Sequence, residues 1–351
     1  MLVSTSKTLI RSTVIHTRCI HSTHPPRKDL LSILSEATAE AESAAKHQPK
    51  SNSSPPKTKT PTIPKTRKTK TLLADYLNNK YRSKFKVAPS VGALAEVNGF
   101  FHQTQVKLEW TTANFLDIPG ERQRVEEEKL LSKHTEEELE HIDTPLAKKG
   151  PTPRTVGLPE VVFLGKCNVG KSSLLNGLLT DSKQKDALEF AYASKRAGYT
   201  QTMNCFNIGN RFKLVDTPGY GVKGKPEQGK QVMEYLHRRK ELRRVYMLIG
   251  SKEGFSQDDF TIIDILIESG VPFEIVFTKV DQLIKVSTVE KHLKDSGVLD
   301  LPSEPSVTFT SSETSRKSPK RQGFGELRSS IFEACGLSPG VKPLKLTKTM
   351  K

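Results

Sequence analysis

The chain holds little cysteine and nowhere places two cysteines together. Cys19, Cys167, Cys205 and Cys335 are far apart and show neither a C-x-x-C pair nor a Cys/His ligand spacing, so a disulfide framework and a structural zinc site are both excluded. They read as free thiols in a reducing compartment. No apolar run approaches the roughly 20 residues that cross a bilayer, which excludes a transmembrane helix. There is one tryptophan, and no basic stretch carries interleaved aromatics, so a base-stacking platform has no support. Acidic residues are also short: 39 Asp and Glu stand against 55 Lys and Arg, leaving a net charge of +16. That excess has two readings, an anionic partner such as RNA or a lipid surface, or a basic tail and targeting segment.

What is present begins with residues 1–28, which contain no acid, carry Lys7, Arg11, Arg18, Arg27 and Lys28, and are dense in Ser and Thr. This is the composition of an organelle transit peptide. Leu2, Leu9, Ile10 and Val14 can share one helical face, the basic amphipathic form used in mitochondrial import, and Arg18-Cys19-Ile20 resembles a processing site. A secretory signal lacks its apolar core of about 7 to 15 residues. Residues 29–104 form a basic low-complexity linker and an amphipathic segment. Within them, 47–70 are chiefly Pro, Lys, Ser and Thr with almost nothing apolar and cannot build a core. Leu72, Leu73, Tyr76, Leu77, Tyr81 and Phe85 then recur at helical spacing, a face expected to dock on the protein's own domain. That domain is placed at 105–340, with an exposed, charged helical insertion at 120–150 and a basic tail at 341–351.

The stretch around which the domain is organised is Gly165-Lys166-Cys167-Asn168-Val169-Gly170-Lys171-Ser172-Ser173, between the apolar run Val161 to Leu164 and a helical pattern. Strand, glycine loop and helix together make a phosphate cradle: the loop turns amides inward and the helix start adds partial positive charge. Lys171 is expected on the β- and γ-phosphates and Ser172 on Mg²⁺. Apolar runs at 212–215, 245–249, 273–277 and 307–309 alternate with helical patterns near 229–240, 257–269, 287–296 and 325–335, and Val106 to Trp110 reads as an edge strand. The alternation predicts an α/β fold, a mostly parallel sheet with helices on both faces and the ligand at the carboxyl ends of the strands.

Asp216-Thr217-Pro218-Gly219 has the D-x-x-G form, in which the carboxylate orients a Mg²⁺-bound water and the glycine N–H meets a γ-phosphate. In Thr278-Lys279-Val280-Asp281, the Asp281 carboxylate can accept two hydrogen bonds from guanine that adenine cannot supply, which disfavours an ATPase. Lys279 is expected to lie along the base. Ser311 and Ser312 follow the last strand and can present a backbone N–H to the guanine oxygen. Between the first two loops, Thr200 is the candidate to complete the Mg²⁺ shell, with Thr202 in reserve. The clusters Arg238-Arg239-Lys240 with Arg243-Arg244, and Lys317 to Arg321, are candidate contacts for nucleic-acid phosphate or solvated faces.

Gly165 to Ser172, Gly198-Tyr199-Thr200-Gln201, Asp216 to Gly221 with its P-G-Y-G, Thr278 to Asp281 and Ser311-Ser312 together resemble the EngB (YihA) family of Ras-like GTPases. The resemblance implies a Ras-like fold, GTP and GDP as ligands with Mg²⁺, and action in assembly of the large ribosomal subunit. With the presequence, it implies a matrix factor for mitochondrial ribosome assembly or translation, whose partner is the mitochondrial large subunit or its rRNA. Peripheral contact with the inner membrane is left open. Tyr220 stands where Ras-type enzymes place a water-orienting glutamine, so intrinsic hydrolysis is expected to be slow. Catalysis then falls to Lys171, Gly219 and Asn168, the last holding a K⁺ ion as in related GTPases. Two positions stand out: Gly250-Ser251-Lys252 replaces the family's Asp-x-Arg, and Thr278, which opens the family's T-K-x-D, stands where N-K-x-D GTPases carry an asparagine and its amide bridge. The rival reading is a non-catalytic RNA- or membrane-associated scaffold that keeps a guanine nucleotide pocket for stability.

Overall fold

The computed structural model describes residues 73–82, 88–131, 157–179, 202–221, 226–314 and 320–344. The N-terminal segment 1–28, the tether 47–70, Gly198 to Gln201 with Thr200, Lys317 and the tail end lie outside them. Strand β2 (Glu160–Gly165) is buried along its whole length, as its continuous apolar run requires of a central strand. It lies parallel between β4 (Phe212–Asp216) and β5 (Leu242–Gly250). Beyond β5 come β6 (Phe273–Thr278) and β7 (Val307–Phe309), both parallel. On the other side, β3 (Met203–Ile208) runs antiparallel to β4, and β1 (Val106–Thr112) antiparallel to β3, giving the order β1-β3-β4-β2-β5-β6-β7. The sheet is mostly parallel, as expected, with the antiparallel pairings confined to one edge.

Alternate side chains of β2 enter opposite layers. Val161 and Phe163 face α2 (Val91–Gln103), α4 (Lys171–Leu179) and α8 (Phe324–Ala334) through Phe100, Leu174 and Phe332. Val162 and Leu164 belong to the layer built with α5 (Pro226–Arg238), α6 (Gln257–Glu268) and α7 (Val286–Ser296). Helix α1 (Leu73–Lys80) packs on this second layer through Ala74 and Leu77, against β7. Packing on the domain is what the amphipathic pattern anticipates, although Tyr76 stays exposed. Both α1 and α2 lie before residue 105 yet contribute core residues, so the packed unit is longer than the boundary drawn from composition. Ser90, whose hydroxyl caps Ala93 N at 3.1 Å, marks the start of α2.

The charged stretch opens with α3 (Glu121–Leu131), and here the structure corrects the sequence reading. Glu121 is not a solvated acid of an exposed helix: it is buried and paired with Arg124 and Arg239. Arg239 in turn forks onto Glu160 at 2.8 and 2.5 Å, and the Tyr235 hydroxyl donates to the same carboxylate at 2.7 Å. A carboxylate at the start of the buried strand β2 demands such partners, because an unpaired charge there costs several kcal/mol. The neighbouring basic residues are engaged as well: Arg244 holds Glu274 at 2.6 Å, Lys240 pairs with Glu128, and Arg238 pairs with Glu234 while lying over Phe115. Within that cluster only Arg243, which bonds backbone carbonyls, is both exposed and without an acidic partner among the described residues, so the run is chiefly structural.

Candidate nucleotide-binding site

The phosphate loop leaves β2 at Gly165 and turns through two left-handed residues, Asn168 at φ 64° and Gly170 at φ 108°, into α4. Gly170 O accepts from Leu174 N at 2.8 Å, which starts the helix directly behind the turn and aims its first amides at the loop. Lys171 is buried, and its ammonium donates to Gly165 O at 2.9 Å and Lys166 O at 3.2 Å. Burial pulls its pKa down from the usual lysine value, while the nearby Asp216 charge opposes the shift.

The end of β6 is fastened to this loop. Thr278 Oγ1 donates to Val169 O at 2.6 Å, and Lys279, itself left-handed at φ 57°, reaches Asn168 O with Nζ at 2.6 Å. Two residues on, Asp281 Oδ1 accepts from Ser311 Oγ at 2.6 Å. Ser311 is buried and pairs through its own backbone N and O with Gln322, at 3.1 and 3.0 Å. Ser312 follows, half-buried. On the opposite flank, Cys167 N donates to Tyr220 O at 3.0 Å and Cys167 Sγ to Gly219 O at 3.3 Å. A Cβ at Gly219 would stand 2.9 Å from Cys167 N and Cα, so only glycine lets the two loops close to this distance. The phosphate loop, the D-x-x-G loop, the T-K-x-D loop and the Ser311 loop therefore form one contiguous site.

A family model described as a 50S ribosome-binding GTPase matches residues 160–279, the span from β2 to Lys279. A probable GTP-binding protein EngB of Rhizobium etli is 36% identical over 199 residues, covering 52% of this chain and 86% of that protein. The chain belongs to the EngB family of GTPases. MIOREX complex component 8 of Saccharomyces cerevisiae is 41% identical over 251 residues, 71% of this chain and 76% of the yeast protein. Among solved structures, a probable GTP-binding protein engB aligns with a TM-score of 0.37 at 20% identity, covering 50% of this chain and 98% of that one.

Seen as an EngB-family GTPase, the chain makes bonds of its own at both positions noted in the sequence. The Thr278 hydroxyl makes a bridge to the phosphate loop, so the asparagine amide is replaced rather than forfeited. Ser251 is fully buried and donates both its N–H, at 3.0 Å, and its Oγ, at 2.6 Å, to the Thr278 carbonyl, fixing the residue at the head of T-K-x-D. A Cβ at Gly250 would meet Glu253 Oε2 at 2.2 Å, so the carboxylate of Glu253 fills the space an aspartate there would need. Tyr220 turns away to donate to Asp259 Oδ1 at 2.5 Å, and Asp259 Oδ2 caps α6 by accepting from Ser256 N at 2.7 Å. Burial, with the Asp259 charge beside it, holds the phenol well above its usual value, so it stays protonated and is no base for water. Ser251, Asp259 and Gln322 had no motif to announce them.

Asp216 is 1% exposed, and its Oδ1 makes no hydrogen bond. An orphaned, buried carboxylate oxygen close to Lys171, with the half-buried Ser172 opening α4, is a donor set that suits a hard divalent cation. Burial raises the Asp216 carboxyl from 3.8 to about 6, against the opposing pull of Lys171 and the Thr217 N–H. Because the folded value lies above the unfolded one, the native state holds a proton that the unfolded chain releases between 3.8 and about 6. The nucleotide-free protein therefore loses stability as pH rises through that window, and the full cost stands above it. Asp216→Asn is expected to stabilise the nucleotide-free protein by up to about 3 kcal/mol at neutral pH, while removing the Mg²⁺-dependent tightening of GTP. Thermal melts with and without GTP and Mg²⁺ check both; an unchanged Mg²⁺ response in the variant would dismiss Asp216 as part of the metal shell.

Proposed function

We propose that this GTPase is a nucleotide-driven switch on the large subunit of the mitochondrial ribosome, binding the maturing particle or its rRNA with GTP and leaving after hydrolysis. The observation that carries the nucleotide half is the pair of bonds from Thr278 and Lys279 to the phosphate-loop carbonyls, because they set a base-reading loop and a phosphate loop at one fixed spacing. The particle half rests on the family description, on the MIOREX relative and on the transit-peptide composition of residues 1–28. No helix among the described residues is long and apolar enough to cross a membrane.

In this reading the α4 amides and Lys171 bind the phosphates, and Asp281 with the backbone at Ser311 and Ser312 reads guanine. Ser172, Thr200 and Asp216 would hold Mg²⁺, which would supply charge neutralisation at the phosphates. Gly219 N–H senses the γ-phosphate, and loss of that contact releases the loop it shares with Tyr220. With the phenol committed to Asp259, water orientation is left to a partner and to K⁺ held at Asn168. Equal turnover in K⁺ and Na⁺ buffers, with and without particles, removes the K⁺ assignment. Sedimentation of the tagged full chain with mitochondrial ribosomal particles tests the switch: co-migration with the large subunit in a non-hydrolysable GTP analogue and loss in GDP is expected, and identical profiles would overturn it.

A further inference from the structure

Helix α1 lies outside the span matched by the GTPase family model, yet it is built into the base end of the site. Strand β7 is the edge of the sheet, so the outward N–H and C=O of Phe309 have no neighbouring strand among the described residues. Asn78 supplies one. Its side chain is 5% exposed; Nδ2 donates to Phe309 O at 3.0 Å and Oδ1 accepts from Phe309 N at 2.7 Å. A single amide thus replaces one residue of an eighth strand, at the position two before Ser311. A turn earlier on α1, Ala74 N donates to Gln322 Oε1 at 3.4 Å, and Gln322 is the residue that pairs with both the N–H and the C=O of Ser311. Tyr81, just past the helix, lays its ring 5.8 Å from that of Phe309. Both supports of the Ser311 loop, the strand before it and the Gln322 bridge beside it, are therefore held by the same N-terminal helix.

We propose that Asn78 is a positioning residue for guanine recognition: it fixes the backbone of β7 so that Ser311 meets Asp281 and the Ser311-Ser312 amides stand against the base. This rests on the guanine reading above and extends it to a residue 231 positions away in the chain from the strand it holds. Removing the amide strands a buried donor and a buried acceptor on Phe309, and the loop that follows relaxes.

The test uses the full chain and a fluorescent GDP analogue. Asn78→Ala is expected to speed GDP release about tenfold and to narrow the preference for GDP over the diphosphate of 2-aminopurine riboside, which lacks both the guanine oxygen and the N1–H that faces Asp281. Val97→Ala, which removes buried methyls from the opposite layer, is the control: it should lower the melting temperature and leave release and preference unchanged. Wild-type release and preference in Asn78→Ala, or equal losses in both variants, overturn the proposal. Should Asn78→Ala not fold, hydrogen exchange on the wild type decides by reciprocity: GDP must protect the α1 amides more than pyrophosphate does, and equal protection overturns the proposal. A wild-type chain that fails to bind GDP would instead sink the guanine reading itself.

Discussion

Asp281→Asn is expected to weaken GDP and GTP binding about a hundredfold or more and to open the site to xanthosine diphosphate. A carboxylate accepts from both the N1–H and the 2-amino group of guanine, whereas an amide places a donor against one of those donors, leaving two buried groups unpaired. The Ser311 hydroxyl, donating to Oδ1 at 2.6 Å, holds the amide oxygen of the variant on that side and turns the NH₂ to the other. Xanthine carries an oxygen where guanine carries its amino group, so the variant regains a bond with that base. Competition of the two diphosphates against a fluorescent nucleotide measures both effects. Retained GDP affinity, or no gain for xanthosine diphosphate, would mean that Asp281 does not face the base.

Lys171→Ala is expected to abolish measurable GDP and GTP binding, a loss of at least about a hundredfold, since an ammonium bonded to phosphate contributes charge-assisted hydrogen bonds. The ammonium already lies inside the loop on the Gly165 and Lys166 carbonyls, so a bound phosphate needs only to draw it a short way. Its loss also deprives Asp216 of the cation that opposes burial, and the carboxyl then climbs above about 6. Calorimetry with GDP and Mg²⁺ reads the loss directly. The same variant separates the switch from the scaffold: a chain that no longer binds nucleotide but still restores mitochondrial translation in cells lacking the protein would favour the scaffold.

Much of the fold is legible because it is written in local pattern. The apolar runs at 161–164 and 245–249 are continuous, as strands covered on both faces must be, 273–277 is broken only by Glu274, and each falls within an observed strand. The phosphate loop is equally local, since eight adjacent residues carry its glycines, lysine and serine. What escaped notice depends on partners far away in the chain. Glu121 shares its helix with three other acids, Glu126, Glu127 and Glu128, and looks solvated until Arg239, 118 positions on, reaches it. Arg239 hides inside a basic run for the same reason. Asn78 has no periodic signature: a polar residue on an amphipathic helix is ordinarily outside, and only the open edge of β7 gives it a reason to be inside. Thr278 and Ser251 look like losses when judged by residue type alone, and become bridges once the carbonyls they meet are known.

The Glu121–Arg239–Glu160 ion group lies at the first residue of β2, and the nucleotide loop begins at the last. Six residues of extended chain separate the two by roughly 17 Å, with a rigid, fully covered strand between. The charged stretch that starts at α3 is thus rooted at the pole of the molecule remote from the γ-phosphate. A partner that gripped that pole would hold the protein well away from the rim where nucleotide is expected, so anchorage and timing would fall to separate surfaces.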